Sequence, residues 1–260
     1  MTEIVTDFER IRMVGSAYRK TGRPVALVPL GRGVHAGHIA LVRAAARRRG
    51  AVVVAAVEEG VDAAALEGVD YLWFYRDLWP KGQRTQVVPL DHGLESVADL
   101  APELARILAL IGALGPSEVF VGEKDYELLV ALGQAINDLH LGVRVRGVPV
   151  VRMPDGVAVS LRNAEVPATE RERAGALSAA LTAGAYAAED GAQAVLSVAR
   201  QVLDAAGVTP EYLALRGRDL GPAPEVGDAR LLVAATIGGV RLIDNVGVPI
   251  GIGFRNIDNG

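Results

Sequence analysis

The chain has no cysteine, which excludes disulfides, thiolate metal sites and cysteine nucleophiles and fits a reducing cytoplasm. It also lacks an apolar run of the roughly 18 residues that a membrane helix needs, and its opening MTEIVTDFER is too charged for a secretory signal. No surplus of positive charge exists, since 27 Lys and Arg stand against 31 Asp and Glu. The broad basic field that draws proteins to nucleic acid or anionic membranes is therefore missing, and small molecules or other protein are the expected partners. Internal repeats and low-complexity runs are absent too. What is present is a chain of 260 residues, half of them apolar, long enough to bury a sizeable core as one large α/β domain or two smaller ones. A cytoplasmic protein is the expectation.

Buried strands and helices alternate along the first part of the chain. PVALVPL (24–30) is a continuous apolar run ending in a glycine-rich turn, and HIALVRAAARRR from His38 has helical spacing. AVVVAAV (51–57), YLWFY (71–75), EVFVG (118–122) and VRVRGVPVV (143–151) read as further strands, with helices over about 98–113 and in ELLVALGQAINDLH. This order predicts a doubly wound, parallel α/β sheet of Rossmann-like type, whose ligand crevice lies at the carboxyl ends of the strands. Near residue 150 the pattern changes. VRMPDGVAVS carries Asp-Gly between two apolar runs, the mark of a tight hairpin. Helices over about 167–186 and 190–206, then strands YLALR, RLLVAAT and VRLIDNV, predict a smaller α+β unit. The expected domains are 1–151 and 152–260, with a mobile tail at 251–260.

Two of the four histidines lie in PLGRGVHAGH (29–38). A glycine-rich turn between a buried strand and a helix gathers backbone N–H groups and the positive end of the helix dipole, which suits phosphate. His35 and His38, three apart at that helix start, share a face and can both donate to phosphate oxygens, most usefully when negative charge builds at phosphorus. Gly37 between them lets a nucleotide approach the backbone. A helix cap and a packed imidazole would account for the same residues. Zinc is a further option for the histidine pair, but no Asp, Glu or Cys stands nearby in sequence to complete a site.

GEKDYELL (122–129) follows a strand and so falls on the same carboxyl edge. Lys124 can neutralise phosphate or carboxylate charge and Asp125 can accept from ribose hydroxyls, although a solvated charged turn explains such a run equally well. In SLRN (160–163), Ser160 and the fork-shaped guanidinium of Arg162 suit a triphosphate, while Ser or Asn can instead cap the next helix.

Together HAGH, VGEKDY, GVPVVRMPDGVAVSLRN and RLLVAATIGGVRLIDNV resemble, in order and over most of the chain, the pantothenate synthetase (pantoate:β-alanine ligase) family of the HxGH nucleotidylyltransferases. The resemblance implies a Rossmann-like domain binding ATP and acid, a small lid domain, Mg2+ held mainly by the ATP phosphates rather than by protein, and a homodimer. It implies that His35 and His38 contact the phosphates, that Lys124 meets phosphate and acid, and that Asp125 holds the ribose beside Gly122. Ser160 and Arg162 match the loop over the phosphates, with Leu161 in place of a second serine. Val148 and Val151 fall where the family backbone contacts adenine.

The acid-facing half departs from the family. Thr and Met of the family loop are Leu30 and Gly31 here, followed by Arg32; one pantoate glutamine is Leu128, and the segment carrying the other is missing after VVVAAV. The helix whose valines line the family's acid pocket contains Glu103 and Arg106, and Lys81 replaces an aspartate. A site built on buried hydrogen bonds can discriminate by about 10⁴, so losing both glutamines predicts an acid other than pantoate. Arg32 and Arg106 would then favour an extra anionic or polar group, unless they face solvent or pair with Glu103. The expected activity is an AMP-forming carboxylate–amine ligase working through an acyl-adenylate. The alternatives are a pantoate:β-alanine ligase proper, adenylation without an amine step, and a nucleotide-binding relative that has lost catalysis.

Overall fold

The computed structural model describes residues 2–251, and most of the expected mobile tail, 252–260, lies outside the described residues. The chain divides into two compact units, Met1–Val151 and Arg152–Gly260.

Val25–Pro29 forms a strand buried at every residue and lies centrally in the first unit. With β1 (Glu3–Val5), β2 (Val25–Pro29), β3 (Val52–Glu58), β4 (Tyr71–Tyr75), β5 (Glu118–Gly122) and β6 (Arg144–Val148), the sheet order is β1-β4-β3-β2-β5-β6 and every pairing is parallel. The helices are α1 (Phe8–Lys20), α2 (Ala36–Ala46), α3 (Val97–Leu114) and α4 (Tyr126–Asp138). Successive strand residues alternate between two buried faces, which is why the sequence shows continuous apolar runs. On one face Leu27, Val54, Trp73 and Val119 pack with Ile11 of α1, Leu110 of α3 and Leu132 of α4. On the other, Val28, Val53 and Phe120 pack with Leu41 and Val42 of α2 and with Leu66 and Val69 after β3.

The chain leaves β2 through α2 toward β3 and β4 on one side, then returns through α3 to β5 and β6 on the other. The carboxyl ends of β2 and β5 therefore flank the point where strand order reverses, and loops diverging there leave a crevice. Two elements were not anticipated from the sequence: β1, three residues long, and α1, whose signal was its cap, Asp7, accepting from Arg10 N at 2.9 Å.

In the second unit, β7 (Tyr212–Gly217), β8 (Gly227–Ile237) and β9 (Val240–Ile250) form an antiparallel sheet in the order β7-β8-β9. Leu231 and Val233 of the sheet pack with Leu177 and Leu181 of α5 (Arg171–Tyr186) and with Val195 and Leu203 of α6 (Ala192–Ala205). Arg152 donates from both terminal nitrogens to buried Asp244, at 2.6 and 3.0 Å, fastening the start of this unit to β9. The expected Asp-Gly hairpin is smaller than its sequence suggests. Gly156 takes the turn at φ +87°, and the arms meet through a Met153 N–H to Val157 O bond at 2.8 Å and a single bridge, Arg152 to Ala158.

Gly15 marks the contact of α1 with α3. A Cβ there would stand 1.8 Å from the Leu114 carbonyl oxygen, a backbone atom that cannot swing aside. Gly15→Ala is expected to destabilise the protein by about 2 kcal/mol and to lower Tm by roughly 4–8 °C; an unchanged melting curve would refute the close approach.

Candidate active site

Leu30 follows β2 and is fully buried, its N–H bonded to Ala56 O of β3 at 2.8 Å. Five residues later His35 serves as N-cap of α2, and its Nδ1 accepts from Gly37 N–H at 3.1 Å. An accepting Nδ1 leaves the ring proton on Nε2, so the neutral imidazole offers one N–H donor at the helix start. The His38 ring stacks on His35, with centroids 3.8 Å apart and planes inclined by 21°. Gly37 has a second use beyond the expected close approach of a nucleotide. A Cβ at this position would lie 2.8 and 2.9 Å from the His35 ring atoms Cε1 and Nδ1, so the capping geometry itself requires glycine.

Both imidazoles are held neutral. Burial pushes His38 down to about 4, with the neighbouring His35 next in effect. Burial, then the charge of Lys124, holds His35 below its ordinary value. His38 also hydrogen-bonds with the Gly33 backbone, while its Nδ1 is buried without a hydrogen-bonding partner. An unpaired buried polar atom costs about 1–3 kcal/mol. At a helix start on a sheet's switch point, such an atom is fitted to a polar ligand.

The β5 end supplies the other wall. Gly122 closes β5, and a Cβ there would meet nothing nearer than 4.0 Å. Lys124 Nζ lies 3.6 Å from Asp125 Oδ1; the lysine side chain is mostly buried and the aspartate exposed. Asp125 stands at the N-cap of α4 without a side-chain capping bond, and its charge reaches both histidines. The structure thus brings His35, Gly37, His38, Lys124 and Asp125 to one edge. Val148 O at the end of β6 accepts from Glu123 N at 2.8 Å, and Val151 is half-buried beyond it.

Ser160 and Arg162 belong to the second unit. Ser160 Oγ accepts from Arg162 N at 3.2 Å and caps the 3-10 turn Leu161–Ala164, the capping role its sequence allowed, and the Arg162 side chain is exposed.

The expected acid-facing residues separate into three groups. Gly31, Arg32 and Arg106 line a cleft of about 600 Å³ at the carboxyl ends of β2, β3 and β4, together with Glu58, Tyr75, Trp79 and Glu103. Leu30 and Leu128 do not line it: Leu30 is core, and Leu128 packs against the core on the α3–α4 face. The arginines also differ from the expectation of a pair aimed at an anionic substrate. Arg32 extends into solvent, 90% exposed, with Nε 3.8 Å from Glu58. Arg106, only 9% exposed, is occupied: Nε donates to Glu103 Oε2 at 2.8 Å, Nη2 pairs with Glu103 Oε1, and Nη1 donates to Tyr75 OH at 2.8 Å and Leu30 O at 3.1 Å. Burial disfavours its charge, but Glu103 outweighs that and the guanidinium holds its proton more firmly than usual. Tyr75 was missed as a site residue; its place as the last residue of a strand on the carboxyl edge was the available signal.

A parallel sheet with a histidine-capped helix at its switch point defines a Rossmann-like protein with an anion-receptive edge. Comparison with known proteins narrows this class. Residues 3–58 and 104–247 match the family described as Pantoate-beta-alanine ligase. The pantothenate synthetase of Corynebacterium jeikeium (strain K411) is 43% identical over 287 residues, covering 99% of this chain and 94% of that protein. That of Mycobacterium sp. (strain JLS) is 44% identical over 275 residues, 95% of this chain and 86% of the relative. The crystal structure of pantothenate synthetase from Thermus thermophilus superimposes with a TM-score of 0.78 at 28% identity, over 94% of this chain and 98% of that one. The chain belongs to the pantoate–β-alanine ligase family. The expectation of a different acid finds no support in these relatives, and the two arginines behind an extra anionic group are spent on solvent, Glu58 and Glu103.

The low His38 value has a measurable consequence. Between about 4 and the ordinary 6.5 the unfolded chain binds a proton at this ring that the folded chain refuses. The contribution to stability is therefore complete above 6.5 and declines as pH falls toward 4. Partial exposure leaves an expected loss of about 2 kcal/mol between pH 7 and pH 4.5. Urea unfolding of the protein and of His38→Asn should differ in pH dependence by that amount; parallel curves would refute a buried neutral His38.

Proposed function

We propose that the protein is a pantoate:β-alanine ligase. The pantoate carboxylate attacks the α-phosphorus of ATP, the bond to the β-phosphate oxygen breaks and pyrophosphate leaves; the β-alanine amine then attacks the acyl carbon, losing a proton as AMP departs. The observation that carries this reading is the stacked, neutral histidine pair at the α2 start, in a chain of this family.

The geometry of the edge supports the roles of the histidines, Lys124 and Asp125. The Nε2–H of His35 meets a phosphate oxygen without contributing a charge, and His38 lies against it with a buried ring nitrogen to satisfy. The His35 donor, already oriented by a helix cap and a ring stack, gains most when negative charge develops on the transferring phosphate. Lys124 aligns phosphate and carboxylate, and the exposed carboxylate of Asp125 receives the ribose hydroxyls. Gly122 leaves room for the nucleotide, and the backbone at Val148 and Val151 faces adenine. For Ser160 and Arg162 the contact with phosphate rests on the family resemblance and on the fit of a guanidinium to phosphate oxygens. No protein nucleophile is needed, because positioning and electrostatics do the work.

Mg2+ belongs to the proposal as a partner of the ATP phosphates, whose charge it neutralises when bound. Among the described residues no group of three or more His, Cys, Asp or Glu side chains is arranged to hold a metal ion, so no step is assigned to a protein-held ion. No helix among them is long and apolar enough to cross a membrane. A cytoplasmic homodimer completes the proposal, supported by the family resemblance and the absence of cysteine.

Pantoate-dependent ATP–pyrophosphate exchange, followed by AMP release on adding β-alanine, tests this reading. His38→Ala should slow exchange by about 10²–10³-fold, and undiminished exchange would remove the histidine from the mechanism. A panel in which another carboxylic acid drives exchange and pantoate does not would overturn the choice of acid. ATP binding without exchange for any acid would identify a relative that has lost catalysis.

A further inference from the structure

The Leu30 carbonyl oxygen is the meeting point of β2, β4 and α3. It accepts from Tyr75 OH at 3.1 Å and from Arg106 Nη1 at 3.1 Å, while the same Nη1 donates to Tyr75 OH at 2.8 Å. Glu103 takes the guanidinium's other engaged edge through Nε and Nη2. A buried guanidinium is expensive to desolvate unless its donors are satisfied, and this one is satisfied by its own chain. It has little left to offer a substrate carboxylate.

What the network does hold is the chain entering the histidine motif. Leu30 is pinned on both sides, by Ala56 O at its N–H and by Tyr75 and Arg106 at its carbonyl. The loop that follows, Gly31 to Val34, contains two glycines, whose backbones have wide conformational freedom. Its far end is the His35 cap, and Gly33 within it hydrogen-bonds with His38. A loop this permissive keeps one geometry only if its ends are fixed.

We propose that Arg106 is a positioning residue: with Tyr75 it pins the Leu30 carbonyl and so sets the two-glycine loop that presents His35 and His38, instead of meeting the charge of the acid substrate. This deepens the ligase reading and rests on its assignment of the histidine pair to phosphate. The groups whose charge acts on His38 are His35, Asp125 and Arg106, so Arg106 also has an electrostatic signature at that ring.

Arg106→Gln, Arg106→Lys and Tyr75→Phe, compared by exchange kinetics and by NMR titration of His38 in the ligand-free protein, test the proposal. Arg106→Gln should lower kcat by about tenfold while KM for pantoate changes by less than about threefold, the lysine variant should recover part of the loss, and Tyr75→Phe should cost about threefold in kcat. Removing the cation should raise the His38 pKa. A folded Arg106→Gln with unchanged kcat and unchanged titration overturns the proposal, as does a loss confined to KM for pantoate, which would make Arg106 a substrate contact. If Arg106→Gln does not fold, the same two kinetic outcomes in Tyr75→Phe decide. The titration needs no substrate, so the inference stays testable even if the protein itself shows no pantoate-dependent exchange, the result that would refute the ligase reading.

Discussion

The hydrogen bond from Gly37 N–H to His35 Nδ1 caps the first turn of α2, and the chemistry of the carboxyl edge depends on it. It satisfies a backbone donor that α2 would otherwise leave open, fixes which ring nitrogen keeps the proton, and sets the imidazole plane on which His38 stacks. It also explains Gly37 more economically than nucleotide access does, because the ring occupies the place where a Cβ would be. One contact thus starts the helix and orients the donor pair.

That contact is useful because of where the sheet puts it. With β2 between β3 and β5, α2 leaves toward one side and α4 begins on the other, so the histidines and the Lys124–Asp125 turn face a common crevice. Burial holds both imidazoles below their ordinary value, followed in effect by the cation of Lys124 at His35 and by His35 at His38. In the proposed reaction such a site offers phosphate one oriented neutral donor and one nearby cation, an arrangement that responds to developing charge and is little perturbed by pH above the range where His38 titrates.

The order and type of the long elements were legible because each strand of the parallel sheet is buried on two sides and shows as an unbroken apolar run: YLWFY is β4 to the residue, and VALVP lies inside the run read at 24–30. β1 was not, since three residues cannot display a period, and it exists by pairing with β4. HAGH and GEKD were legible as turns on the carboxyl edge of the sheet because turn glycines and strand-end charges carry local signals. The reading of Arg106 left an anionic substrate and Glu103 both open, and the structure shows Glu103. An arginine in a helix sequence declares its charge but not its partners, and Glu103, three residues away, was visible while Tyr75 and the Leu30 carbonyl were not.

The sequence by itself determined the parallel α/β architecture, the strand-turn-helix setting of His35 and His38, and membership of the pantoate–β-alanine ligase family, because hydrophobic periodicity, glycine placement and motif order are local properties of the chain. Tertiary structure alone decided that the two imidazoles stack and stay neutral, that Leu128 packs against the core, and that Arg106 turns inward to hold a backbone carbonyl. Those outcomes depend on desolvation and on partners from distant segments, and neither is written in the spacing of residues along a chain.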